Sequence, residues 1–132
     1  MHPKDQHQRI SKLASQVMNL YHGDFMGKGE HHVSFMTMRQ KLQQRFLTHM
    51  EALGQYWLQQ GDHDRAVACF ERALEADPVA EEFYQHLMKA YRQAGRNSDA
   101  AQVYQRCRQN LATILGISPA KNTVEIYKSL QN

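Results

Sequence analysis

Apolar residues recur along this chain at spacings of three and four, the signature of helices with one buried face. Ile10, Leu13, Val17 and Leu20 form one such stripe. A polar stretch with three glycines, GDFMGKGEHH, follows it. A longer stripe runs through Phe35, Met38, Leu42, Phe46, Met50, Leu53 and Trp57, with no proline before Gly61. That pattern predicts one helix of about seven turns, starting near Ser34. Asp62 is placed to cap a third helix reaching about Ala76, where Asp77-Pro78 breaks the ladder. A fourth helix carries Phe83, Leu87, Met88 and Tyr91 and stops at Gly95. A fifth, capped by Asn97 or Ser98, carries Ala100, Val103, Tyr104, Cys107, Leu111 and Leu115 and closes at Gly116. Ser118-Pro119 then reads as the cap and first residue of a short last helix with Val124, Tyr127 and Leu130. No segment alternates as a strand does, so the expected fold class is all-α, with about six helices.

The stretch GDHDRAVACFERALEADP has a counterpart further on. Gly61 and Gly95, Ala66 and Ala100, Phe70 and Tyr104, and Ala73 and Cys107 all stand 34 residues apart. So do Met50 and Tyr84, Leu53 and Leu87, and Trp57 and Tyr91. A period of 34 is that of the tetratricopeptide repeat, a pair of antiparallel helices. The expected architecture is a right-handed stack of antiparallel helix hairpins, with repeats at about 47–80 and 81–114 in a single domain, 1–132. Close helix approach needs small side chains. Gly54 and Ala66 are expected at the crossing, with Phe70 and Trp57 filling the space beside it. A glycine within a helix costs about 1 kcal/mol relative to alanine, and close approach supplies a reason for it. The flanking helices are expected to cap the stack.

Composition changes little in this picture. A chain of 132 residues with 42% hydrophobic and 22% charged residues is an ordinary globular composition. The net charge of +3 permits an acidic or nucleic-acid partner and requires neither. The start MHPKDQHQRISK is polar, with no signal peptide, and no apolar run approaches the ~20 residues that span a bilayer. A cytoplasmic location is expected. Cys69 and Cys107 have neither disulfide nor metal spacing and read as reduced helix residues. His31-His32 lacks the further ligands of a metal site, and no phosphate loop, paired acids or nucleophile with a base is present. No enzyme activity, metal or cofactor is therefore expected.

The similarity to known sequences extends beyond the repeat. Leu20, Tyr21, Gly23, Asp24 and Phe25, then Arg39 and Leu42, then VYQRCR at 103–108, and Leu115-Gly116, Pro119, Thr123 and Tyr127 together resemble the bacterial transcriptional activator domain. The similarity covers roughly residues 13–130. Lys121 stands where members often carry a second proline, and Phe35 where tryptophan is common. The resemblance implies a tetratricopeptide-like module of multidomain bacterial transcription regulators. Members usually accompany a winged-helix, receiver or nucleotide-binding ATPase domain, and none fits in this chain. It is expected to be the C-terminal part of a longer DNA-binding or signalling protein rather than a free-standing module.

In such repeats the first helix of each pair lines a concave groove. In the first unit the groove positions are Thr48, Glu51, Gln55, Leu58 and Gln59. In the second they are Glu82, Gln85, Lys89, Arg92 and Gln93. Gln, Lys and Arg side chains there could read a peptide or helix, or simply form a solvated surface. Arg39, Lys41, Arg45, Arg106 and Arg108 read as solvated charges or salt-bridge partners. The expected function is protein–protein interaction with other domains of the same regulator, another copy, or the transcription machinery. A small-molecule-sensing helical domain is the alternative. Direct nucleic-acid binding is not expected, since no recognition helix stands apart from the stack.

Overall fold

The computed structural model describes residues 32–131. The expected first helix, the glycine-containing stretch before the long helix, the Leu20–Phe25 match and the His31-His32 pair lie outside the described residues or their described side chains. Every regular element described is helical. The order is α1 His32–Gln59, α2 His63–Ala76, α3 Glu81–Gln93, α4 Asn97–Asn110, a π-helical turn Leu111–Leu115, and α5 Lys121–Ser129.

The chain divides into two compact units, residues 1–53 and 54–132, and α1 runs from the first into the second. In the first, Phe46, Leu47, Met50 and Leu53 are buried. Arg39, Lys41 and Arg45 are exposed on the same helix, and the Thr48 hydroxyl donates to the Gln44 carbonyl at 2.9 Å. That hydrogen bond back to the i−4 carbonyl satisfies the hydroxyl within the helix.

In the second unit the 34-residue period is visible in the backbone. After α1, Gly61 takes φ 76°, its N–H bonds the Leu58 carbonyl, and the Asp62 N–H reaches back to Trp57. After α3, Gly95 takes φ 75°, its N–H bonds the Arg92 carbonyl, and the Arg96 N–H reaches back to Tyr91. Each participant is 34 residues from its counterpart. The left-handed conformation at these two turns is what selects glycine.

The side chains follow. Ala66, Phe70 and Ala73 of α2 are fully buried, as are Ala100 and Cys107 of α4. Gly54 lies directly under Phe70, and a Cβ added there would overlap the ring. The close approach expected at Gly54 is thus met by the aromatic itself. Trp57 is buried with the Arg65 guanidinium 4.5 Å from its ring centre. Tyr91, its counterpart, has Arg96 at 4.9 Å.

Caps divide into those expected and those not. Asp62 caps α2, accepting from the Arg65 N–H at 3.1 Å. Asp77 ends α2 in an extended conformation, and its carboxylate accepts from the Val79 N–H. Neither Asn97 nor Ser98 caps α4: Arg96 takes that position, with no side-chain cap. The Asn97 amide instead donates to the Leu130 carbonyl, tying the start of α4 to the end of α5. Gly116, at φ 67°, closes a π-helical turn rather than a plain continuation of α4. The last helix begins at Lys121, after Ala120, not at Pro119. The Ala120 N–H is satisfied by the Glu81 carboxylate of α3, which sets where that helix starts.

Candidate functional site

Four hydrogen bonds fix α5 against α3, one of them from the Thr123 hydroxyl to Glu81 Oε2. The Ala120 N–H donates to Glu81 Oε2 at 2.7 Å. Gln85 Nε2 donates to Thr123 Oγ1 at 2.8 Å. Arg92 Nη1 donates to Ser129 Oγ at 2.8 Å. Residue numbers rise together on both helices, so α5 runs parallel to α3. It also packs on α4, where the Tyr127 ring stacks on Tyr104 with centroids 4.0 Å apart and planes 10° apart. Tyr104 is the counterpart of Phe70, which meets Phe83 and His86 of α3 in the same way. By position, α5 is therefore the first helix of a third repeat.

Thr123 is the one polar residue fully buried among the described residues. Its hydroxyl donates to Glu81 Oε2 and accepts from Gln85, so both capacities are used. The Glu81 carboxylate also lies at the positive end of the α5 dipole. Sequence reading missed this network. The signal available was Thr123 itself, which belongs to the pattern shared with the family and has a hydroxyl that a solvent-facing helix position does not need.

The expected groove residues are distributed as follows. Thr48 and Glu51 are exposed and belong to the first unit. In the second unit Gln55 is half-buried, with its amide 3.3 Å from His86 Nδ1. Leu58 is half-buried and Gln59 exposed. Glu82, Lys89 and Gln93 are exposed on α3. Gln85 and Arg92 are the two that the fold brings to α5. The end of α1 and α3 thus present the amides of Gln55, Gln59, Gln85 and Gln93, the cations Lys89 and Arg92, the carboxylate of Glu82 and the half-buried Leu58.

The remaining reactive groups are structural. Cys69 and Cys107 are free thiols in the buried faces of α2 and α4. Burial pushes the Cys69 thiol up to about 11 and that of Cys107 up to about 12, so both stay protonated and unreactive near neutrality. The Tyr84 hydroxyl donates to the Pro78 carbonyl and accepts from the Asn110 amide, each at 2.7 Å. Burial raises the phenol above its ordinary value, and the Asn110 hydrogen bond opposes that rise. Arg106 forms a bidentate pair with Glu71 at 2.7 and 3.0 Å, one second helix to the next, which raises the guanidinium further. Among the described residues no three His, Cys, Asp or Glu side chains gather as a metal site. No helix there is long and apolar enough to cross a membrane.

Parallel first helices, second helices with small-aromatic-small buried faces, and glycine turns at a 34-residue period define a helical-repeat domain of the tetratricopeptide-like class. The family model described as the bacterial transcriptional activator domain matches residues 1–131, and the chain belongs to that family. It is a regulatory module of bacterial transcription regulators, not a known enzymatic family. No curated protein matches the chain in sequence.

Proposed function

We propose that this chain is a protein-interaction module through which a bacterial transcription regulator contacts a protein partner, and that it forms the C-terminal part of a longer DNA-binding or signalling protein. The partner is another domain of the same regulator, another copy, or the transcription machinery. The observation supporting this reading is the parallel alignment of α3 and α5. It extends the row of first helices, whose polar side chains are spaced to read an extended or helical segment. Gln55, Gln59, Lys89, Arg92 and Gln93 are the residues of the second unit assigned to contact, with Leu58, Glu82 and Gln85 completing that unit's surface; Thr48 and Glu51 belong to the first unit.

The test is binding of the purified chain to the regulator's own DNA-binding or signalling domain and to bacterial RNA polymerase subunits. Reversing two charges with Lys89→Glu and Arg92→Glu is expected to weaken that contact by about tenfold or more, with helix content retained. Absence of contact with any of these partners overturns the proposal, as does binding indifferent to the two reversals. A gel shift with DNA at low salt provides the contrast, because phosphate binding would weaken steeply as salt rises.

A further inference from the structure

The first unit carries a charge imbalance that the packing of the chain does not use. Residues 1–53 hold seven Lys and Arg against four Asp and Glu, whereas residues 54–132 hold nine of each. The whole net charge of +3 therefore belongs to the first unit. No acid occurs between Glu30 and Glu51, a stretch that contains Arg39, Lys41 and Arg45. In the second unit Arg65, Arg96 and Arg106 are each paired with a carboxylate. Lys41 and Arg45 make no ion pair with any described residue.

These two cations belong to a strip of α1. Gln40, Lys41, Gln44 and Arg45 are all exposed. Spacings of one, three and one keep them on one side of the helix over two successive turns. With Thr37 and Gln43 they line one surface hollow. Phe46 and Met50, on the other side of the helix, are buried. Each of the four exposed side chains offers N–H donors, and none is a carboxylate. Lys41 and Arg45 stand about 6 Å apart along the axis, close to the separation of neighbouring phosphates on one strand of a duplex.

We propose that this strip of α1 is a phosphate-contacting surface, through which the chain rests on the backbone of duplex DNA. Phosphates require only cations and neutral donors, and Lys, Arg and Gln are among the side chains that bond them. Protein interfaces are depleted in lysine and build on an apolar centre, which the four residues of the strip do not supply. A helix lying on lipid turns its apolar face to the acyl chains, and here Phe46, Leu47 and Met50 are already buried. The chain belongs to a family of transcription regulators, so a duplex is the polyanion at hand. The lack of a separate recognition helix argues against base reading only. Phosphate contacts fix the position of a protein without carrying sequence information. Two cations make a weak contact by themselves, suited to orienting the chain on a duplex rather than to capturing one.

The experiment is fluorescence anisotropy of two labelled duplexes of unrelated sequence, titrated with the 132-residue chain from about 20 to about 200 mM salt. Both duplexes are expected to bind equally, and binding should weaken as salt rises. Lys41→Gln combined with Arg45→Gln is expected to weaken binding about tenfold or more at low salt and to reduce the slope of log K against log salt by about 2. Helix content should be unchanged, since both positions are exposed and glutamine is a comparable helix former. Arg45→Lys should bind like wild type. So should Arg72→Gln combined with Arg108→Gln, which removes the same charge from exposed positions of α2 and α4. A decaglutamate peptide should bind at least tenfold more weakly than either duplex. No anisotropy change at the lowest salt overturns the proposal, as does clear preference for one duplex. So does binding that the Lys41 and Arg45 exchange leaves intact, or that the Arg72 and Arg108 exchange weakens equally. Equal affinity for decaglutamate would assign the strip to an acidic protein and overturn it too. The strip lies on the first unit and Gln55, Lys89 and Arg92 on the second, so failure to find a protein partner for the groove leaves this contact standing.

Discussion

The two joints of the second unit perform the same step with different materials. At the first, residues 77–80 carry the chain from α2 to α3, and the helices meet through Phe70, Phe83 and the His86 ring stacked on Phe70 at 5.1 Å. At the second, residues 111–120 carry it from α4 to α5, and α5 is held by one tyrosine stack and the Asn97 amide of α4, and by α3 hydrogen bonds in which Glu81 accepts and Gln85 and Arg92 donate. Phe70 is fully buried, while Tyr104 is only partly so. The first joint rests on area removed from water and the second on matched polar partners. Net hydrogen-bond contributions are smaller than those of a fully buried aromatic, so α5 is held in a defined position but less tightly.

The largest expected effect tests that ranking directly. Phe70→Ala should destabilise by about 3–5 kcal/mol, since the cavity lies where α1, α2 and α3 converge within the second unit. Tyr104→Ala should cost about 1–2 kcal/mol, for a half-buried ring in one stacked pair. Urea unfolding midpoints at unchanged slope give both values. Equal losses would remove the distinction between the joints.

A smaller effect isolates the second joint. Thr123→Val keeps the shape but leaves Gln85 and Glu81 without their shared hydroxyl, a loss of about 1–2 kcal/mol. Hydrogen exchange should show it locally: α5 amides exchange faster, while those of α2 and α3 keep their protection. A uniform acceleration would mean that the two joints unfold together.

The smallest effect near neutrality is that of the two thiols, one on each second helix. Their folded values lie above the ordinary 9.0. The unfolded chain therefore releases thiol protons first as pH rises, and stability falls from about pH 9 upward until the folded thiols also ionise. Below about pH 8 the thiols leave stability flat. The raised Tyr84 and Tyr91 phenols act in the same direction at higher pH. Cys107→Ala and Cys69→Ala should each flatten the alkaline decline. Stability measured by urea unfolding across pH 7–11 checks this, and a decline unchanged in both variants would count against it.

What the sequence made legible follows from what repeats. The 34-residue offset located both glycine turns and the burial of Ala66, Phe70 and Ala73, and local chemistry located the Asp62 cap and the Asp77-Pro78 break. The third first helix escaped that reading. The long connector puts α5 out of register with the period, and Thr123, Tyr127 and Ser129 then look like residues of an unrelated cap. Asn97 and Ser98 are good capping residues by type, yet Asn97 is engaged by Leu130, 33 positions away, a tertiary demand that no local signal carries. Of the groove positions, Gln85 and Arg92 were readable as facing outward from α3 but not as hydrogen-bonded to α5. Periodicity gives the direction of a side chain and leaves its neighbour unnamed.

The stepwise packing of the second unit also shapes how it is built. There α3 touches α2, α4 and α5, and α4 touches α3 and α5, so each contact closes a loop no longer than about one hairpin and the next helix. Short loops carry small closure entropies, and chains dominated by them fold in microseconds to milliseconds. Repeats coupled only to neighbours can nucleate at one hairpin and zip outward. For this chain the zipper should start at the Gly54–Phe70 contact and reach α5 last, and a nascent or stressed molecule should fray from that end while the first hairpin stays folded.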